Sequence, residues 1–184
     1  LLQIASKFIV LLLLATAQRL QIIAFIKVSD VEVGDNMGLK IMISEKLKTT
    51  RAYKNQPCIT IPFFPQRPLL CITGLMKRYL DSSAPLRPPG VTALFILARE
   101  PYTAASRQTV SKWVGKILQE AGVDKMFKPH STRHASVSAA ARAGASLDII
   151  FRSAGWTEKS KVFAKFYNRP LAHSSTLFSH IFSN

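Results

Sequence analysis

His130-Ser131-Thr132-Arg133-His134, a run of small residues to Gly144, then Ala154-Gly155-Trp156 and Phe166-Tyr167-Asn168 form the stretch from which the rest of the chain is read. Pro129 stands just before it, and the small residues from Ala135 to Ala143 permit a helix that packs closely on its neighbours. Positions three apart on a helix share a face, so His130 and Arg133 present an imidazole and a guanidinium to one point in space. That pair suits a phosphate: arginine offers a planar fork of donors that never loses its charge, and histidine gives or takes a proton near neutral pH. His134 lies about 100° further round the helix than Arg133 and is read as structural. A tyrosine downstream, Tyr167, is the kind of side chain that attacks such a phosphate as a nucleophile.

Composition agrees with a polyanionic partner. The 184 residues carry 25 Lys+Arg against 10 Asp+Glu, a formal charge of +15, which predicts attraction to nucleic acid first and to an anionic membrane second. The bias reaches the quoted stretch itself, where Lys125 to Arg169 holds nine Lys or Arg against Asp148 and Glu158. The length fits one domain with a sizeable core. Cys58 and Cys71 stand singly, which argues against a disulfide framework or a zinc module and for free thiols in a reduced compartment. His173 and His180 are isolated in a polar tail and are assigned no metal.

Upstream, Ile4 to Ala17 is strongly apolar and is read as a core helix that continues through Gln18-Arg19-Leu20-Gln21-Ile22-Ile23. Arg19 would then follow the most buried part of the domain, where a guanidinium needs an anion to offset desolvation. The competing reading of this segment is a signal peptide, with Lys7 before the apolar run and Ala15-Thr16-Ala17 as its cleavage site. The run is far short of the roughly 20 residues that span a bilayer. With no initial Met, the chain is read as a fragment or a late domain of a longer protein.

Phe25 to Val33, Leu39 to Ser44 and Cys58 to Phe64 are β-rich runs, and Gly34-Asp35-Asn36-Met37-Gly38 supplies a hairpin turn between the first two. They predict a small three-stranded antiparallel sheet, with a cationic loop from Glu45 to Arg51 between the second and third strands. Leu69, Ile72, Leu75, Met76 and Leu80 recur at helical spacing, and Asp81 to Gly90 is a loop. Ser106 to Ala121 is an amphipathic helix with Val110, Trp113, Val114, Ile117 and Leu118 on its apolar face and Gly122 as its stop. Ser146 caps a helix from Leu147 to Arg152, and Thr157 one from Glu158 to Tyr167. The fold class is therefore α+β, mainly α-helical.

Taken together, Arg19, Lys48, His130, Arg133, Trp156 and Tyr167 form an ordered set that resembles the catalytic domain of the tyrosine recombinases, the phage-integrase family. The matching segments are Ala17-Gln18-Arg19, Leu47-Lys48-Thr49, His130-Ser131-Thr132-Arg133-His134, Ala154-Gly155-Trp156 and Phe163-Ala164-Lys165-Phe166-Tyr167-Asn168-Arg169-Pro170. Their wording looks most like integrases of eukaryotic mobile elements of the crypton and DIRS types. The resemblance implies that Arg19 and Arg133 hold the scissile phosphate and that Tyr167 attacks it to give a 3′-phosphotyrosine. It implies further that Lys48 protonates the leaving 5′-oxygen, that His130 assists proton transfer, and that Trp156 donates an indole N–H. No metal or nucleotide cofactor is implied.

Two departures stand out. Ile22 occupies a place where the family commonly has an acid, and the Trp156-to-Tyr167 spacing is slightly long. The implied organisation is a catalytic domain over residues 1–170 and a tail over 171–184 that docks on a neighbouring protomer, without the helical core-binding domain that usually precedes it. The implied partner is double-stranded DNA, bound by a full-length tetramer, with no membrane; the place is intracellular, and nuclear in a eukaryote. An inactive DNA-binding remnant and a type IB topoisomerase are the alternatives.

Overall fold

The computed structural model describes residues 1–34, 38–44 and 58–156. Helix α1 (Leu2–Thr16) is the central element, with Phe8, Ile9, Leu12 and Leu13 almost fully buried. Around it pack α3 (Ile72–Ser83), α4 (Arg107–Glu120) and α5 (Ser131–Arg142). Two shorter helices, α2 (Leu20–Ala24) and α6 (Leu147–Ala154), complete the described helical part. Each of the large buried side chains of α1 contributes about 1.5–3 kcal/mol by leaving water, so α1 anchors everything attached to its end.

The expected continuous helix to Ile23 is not found. Ala17 takes a left-handed conformation (φ 51°), Arg19 is extended, and a new helix starts at Leu20. Thr16 turns its hydroxyl back onto the Leu12 carbonyl (2.6 Å) and accepts from the Gln18 N–H (3.3 Å), which is a local hydrogen-bonding alternative to another helical turn. Arg19 is consequently exposed rather than desolvated.

Strands β1 (Val31–Gly34), β2 (Gly38–Met42) and β3 (Cys58–Ile61) form the antiparallel sheet in the order β1-β2-β3. Leu39, Ile41, Ile59 and Ile61 face the core, while Glu32 and Lys40, directly paired across the strands, meet outside it at 3.2 Å. Gly38 is required there: at φ +97° a Cβ would stand 2.2 Å from the Ile61 carbonyl oxygen. The first strand is shorter than the β-rich run from Phe25 implied. Ile26 and Val28 hydrogen-bond instead to Leu94 and Thr92, and a 3₁₀ turn over Val28–Asp30 closes with the Asp30 carboxylate accepting the Lys27 N–H at 2.9 Å. The chain thus changes partner before the sheet begins.

Helix α3 starts at Ile72, with the Cys71 sulfur accepting the Gly74 N–H at 3.4 Å. Leu69, expected on its core face, lies in a preceding 3₁₀ turn and is 76% exposed. Leu94 and Phe95 fill the space beside Tyr79, whose hydroxyl donates to the Leu94 carbonyl (3.2 Å) and accepts from the Ile96 N–H (3.1 Å). Ser146 caps α6 as expected, accepting the Ile149 N–H, and Ser106 caps α4 by accepting the Thr109 N–H. Gly122 and Gly144 take positive φ just beyond the ends of α4 and α5. No described helix is long and apolar enough to cross a membrane.

Candidate nucleic-acid interface

A second, smaller apolar cluster of Ala17, Val137, Ile150 and Ala154 joins the end of α1 to α5 and α6. Above it lies a cleft of about 340 Å³ bordered by Arg19, Arg107, His130, Arg133 and Trp156. Four of the six residues singled out in the sequence therefore share one cavity although they span positions 19 to 156. The other two, Lys48 and Tyr167, lie outside the described residues, as do the cationic loop, the Thr157 cap and the tail.

Each cleft residue is placed by a local feature. Arg19 occupies the turn between α1 and α2, freed from the helix by the break at Ala17. His130 is the residue just before α5, where Thr132 also donates its hydroxyl to the Pro129 carbonyl at 2.8 Å. Its ring meets that of His134 edge-on, with centroids 6.3 Å apart, so His134 supports the imidazole from one helical turn along. Trp156 follows Gly155, whose left-handed conformation (φ 65°) ends α6.

Arg133 is the fixed point of the site. It is only 6% exposed. Its Nη1 donates to the carbonyl of Ala17 at 2.5 Å and its Nη2 to that of Ala154 at 2.7 Å. Both carbonyls belong to helix C-terminal ends, which lack partners within their own helices and favour a cation. The guanidinium carbon stands over the Trp156 ring, 3.9 Å from its centroid. Gln18, buried between the two ends, ties them together by donating Nε2–H to the Ser153 carbonyl at 2.6 Å.

The energies nearly balance. Desolvating a buried cation costs several kcal/mol. Two charged hydrogen bonds at about 1.5–3 kcal/mol each and a cation–π contact at about 0.5–2 return roughly 3.5–8. Among the described residues no carboxylate borders the cleft to neutralise Arg133, Arg19 and Arg107. The starts of α4 and α5 also border it, and neither has an acid in its first turn, so their positive ends add to the field. Such an arrangement has the donors and the field to accept an anion with several hydrogen bonds. Ile22, which stands where an acid was noted as missing, is buried in the main core rather than turned to this cleft.

Arg107 and Gln18 were not among the residues chosen from the sequence. Arg107 carried a readable sign: it directly follows the Ser106 cap, and a cation at the start of a helix opposes the dipole unless an anion is nearby. Gln18 carried none, because its role depends on a contact with Ser153, 135 positions away.

A mainly helical α+β domain with a three-stranded antiparallel sheet at its edge, holding an Arg, His, Arg and Trp around one cationic cleft, has the architecture of a tyrosine recombinase catalytic domain. The model of the phage integrase family matches residues 1–173, and the chain belongs to that family. Among solved structures it is similar to the XerH site-specific recombinase bound to difH substrate, at 15% identity and TM-score 0.68, over 99% of this chain and 46% of that one. It is also similar to the Tn1549 transposon integrase in complex with transposon right end DNA, at 14% identity and TM-score 0.59, over 95% and 58%. A third is a lambda integrase dimer bound to a core site, at 20% identity and TM-score 0.53, over 94% and 53%. This chain thus spans about half the length of these proteins. No curated protein sequence matches it.

Proposed function

We propose that this chain is the catalytic domain of a site-specific DNA recombinase that cuts and rejoins DNA through a 3′-phosphotyrosine. The observation that carries this reading is the gathering of Arg19, His130, Arg133 and Trp156 on one cleft that no carboxylate among the described residues borders. Arg19 and Arg133 hold the nonbridging oxygens of the scissile phosphate and offset the charge that builds there during in-line attack. Tyr167 attacks phosphorus through its hydroxyl oxygen, with His130 assisting removal of the proton. The bond to the 5′-oxygen breaks as that oxygen takes a proton from Lys48, and Trp156 packs on Arg133 and offers its indole N–H. The phosphotyrosine conserves the bond for religation by a 5′-hydroxyl, so the cycle is balanced without a nucleotide. The roles of Lys48 and Tyr167 rest on the family resemblance.

The wording of the motifs supports an origin in a mobile element of the crypton or DIRS type, acting in the nucleus on double-stranded DNA. In the longer protein a core-binding domain clamps the opposite face of the duplex and raises affinity through effective concentration. Four protomers assemble on paired sites, with residues 171–184 docking on a neighbour. Removing Leu171 to Asn184 should leave the folded domain intact and weaken assembly on DNA, measured by sedimentation; unchanged assembly counts against the tail.

The reaction is tested with nicked duplexes whose sequence is randomised around the nick. A covalent protein–DNA adduct that survives denaturation and is lost in Tyr167→Phe is the expected result. Salt-sensitive DNA binding without an adduct would instead establish the second reading, a DNA-binding remnant, which the replacement of the family's acid by Ile22 favours. Relaxation of a supercoiled plasmid by the monomer would identify a type IB topoisomerase.

A further inference from the structure

We infer that Arg107 is a second phosphate-binding residue of the cleft, gripping the phosphodiester next to the one that Arg19 and Arg133 hold. The inference rests on the DNA-cleaving reading of the same site and extends its contact surface along the strand. Arg107 borders the cleft with Arg19 and His130, yet it comes from a different part of the fold, the first turn of α4. It is exposed, and its guanidinium neither hydrogen-bonds nor pairs with a described residue. Only Ser106 stands between it and the preceding loop, and the Ser106 hydroxyl already caps α4 by accepting the Thr109 N–H at 3.1 Å. The cap therefore meets the helix's own need, and Arg107 has no evident structural task.

Stoichiometry favours a separate phosphate. One phosphodiester has two nonbridging oxygens, and the Arg19 fork with Arg133 and His130 supplies enough donors for both. Phosphates on one strand recur about every 3.4 Å of helix axis. A long side chain entering the cleft from another helix is suited to the neighbouring group. No acid among the described residues borders the cleft to compete for it.

The test uses the full chain and a fluorescent duplex of random sequence, with affinity measured across a salt series for wild type, Arg107→Gln, Arg107→Lys and Arg78→Gln. Arg78 is an exposed cation on α3 that does not border the cleft. Folding of each variant is checked by circular dichroism and thermal midpoint. Arg107→Gln should weaken binding about tenfold at moderate salt and lower the slope of log K against log salt by about 0.9, the value of one phosphate contact. Arg107→Lys should keep the slope and lose part of the affinity, because the charge remains without the fork. Arg78→Gln should change neither.

Wild-type affinity and slope in Arg107→Gln overturn the inference. Weakened binding with an unchanged slope also overturns it, since Arg107 would then share the phosphate that Arg19 holds. An Arg78→Gln effect as large as that of Arg107→Gln reduces Arg107 to general surface charge. If wild type itself shows no salt-dependent binding, the DNA reading fails and takes this inference with it. Loss of the covalent adduct on randomised duplexes with binding retained leaves Arg107 standing.

Discussion

Arg133→Lys is the substitution that most directly tests the construction of the cleft. The native guanidinium spans the carbonyls of Ala17 and Ala154 and lies against Trp156. A lysine keeps the charge, but its single ammonium cannot serve two carbonyls on opposite sides of a planar fork. One charged hydrogen bond is lost, about 1.5–3 kcal/mol, together with the planar part of the stacking, about 0.5–1. The expected loss of folding stability is about 2–4 kcal/mol, or roughly 4–16 °C in thermal midpoint for a chain of this size. Urea unfolding followed by tryptophan fluorescence measures it, and Trp156 should move toward the solvent-exposed spectrum in the native baseline. The functional reading predicts loss of the covalent adduct in the same variant. A stability within about 0.5 kcal/mol of wild type would show that the two helix ends do not depend on the guanidinium, and would refute the argument for a fixed Arg133.

Three further outcomes are expected. Gln18→Ala removes the bond to the Ser153 carbonyl and should cost about 1–3 kcal/mol in urea unfolding, with adduct formation slowed because Trp156 is less firmly placed. Gly38→Ala drives a Cβ into the Ile61 carbonyl at a positive φ and should cost on the order of 3 kcal/mol or prevent accumulation of folded protein; a normal melting midpoint would contradict the described register. Burial raises the pKa of the Tyr79 phenol, against the opposing effects of the Ile96 N–H and the Arg87 charge. The neutral phenol therefore stabilises the fold fully below its unfolded pKa of about 10 and progressively less as pH rises through the higher folded value. Tyr79→Phe should lose about 1–3 kcal/mol at pH 7 through its two hydrogen bonds and show a shallower decline at about pH 11 than wild type, by denaturant titration at both pH values.

The elements legible in the sequence were those whose ends are set locally. Ser146 caps its helix through its own side chain, and the glycines at 34 and 38 pair at the end of the β1–β2 ladder. The end of α1 was not legible, because alanine is the best helix former and nothing in Ala17-Gln18-Arg19 breaks a helix by itself. Tertiary bonds join the local ones of Thr16 in favouring the break: the Ala17 carbonyl is claimed by Arg133 and Gln18 by Ser153. The β-rich run from Phe25 extends beyond the observed strand for a similar reason, since β propensity does not reveal that its first residues pair with Thr92 and Leu94. Of the site, Arg19, His130, Arg133 and Trp156 were visible as an ordered set. The third arginine, Arg107, stands on a helix whose sequence signal is its apolar face.

The clamp on Arg133 also fixes an order of events as the chain is made. The main core draws on α1, the sheet, α3 and α4, all of which have emerged by Glu120. The guanidinium is held only when Ala17 and Ala154 are both present, 137 positions apart in sequence (154 − 17). At about 5–20 residues per second the 34 positions from Glu120 to Ala154 take roughly 2–7 seconds of synthesis. Closing the long loop from Ala17 to Ala154 is also slower than packing neighbours in sequence. The nascent protein therefore owns a folded core for some time before the Arg133 guanidinium is held. In a series of chains stalled at increasing length, protease protection of α1 should come first, and retention on DNA only after Ala154 has cleared the ribosome.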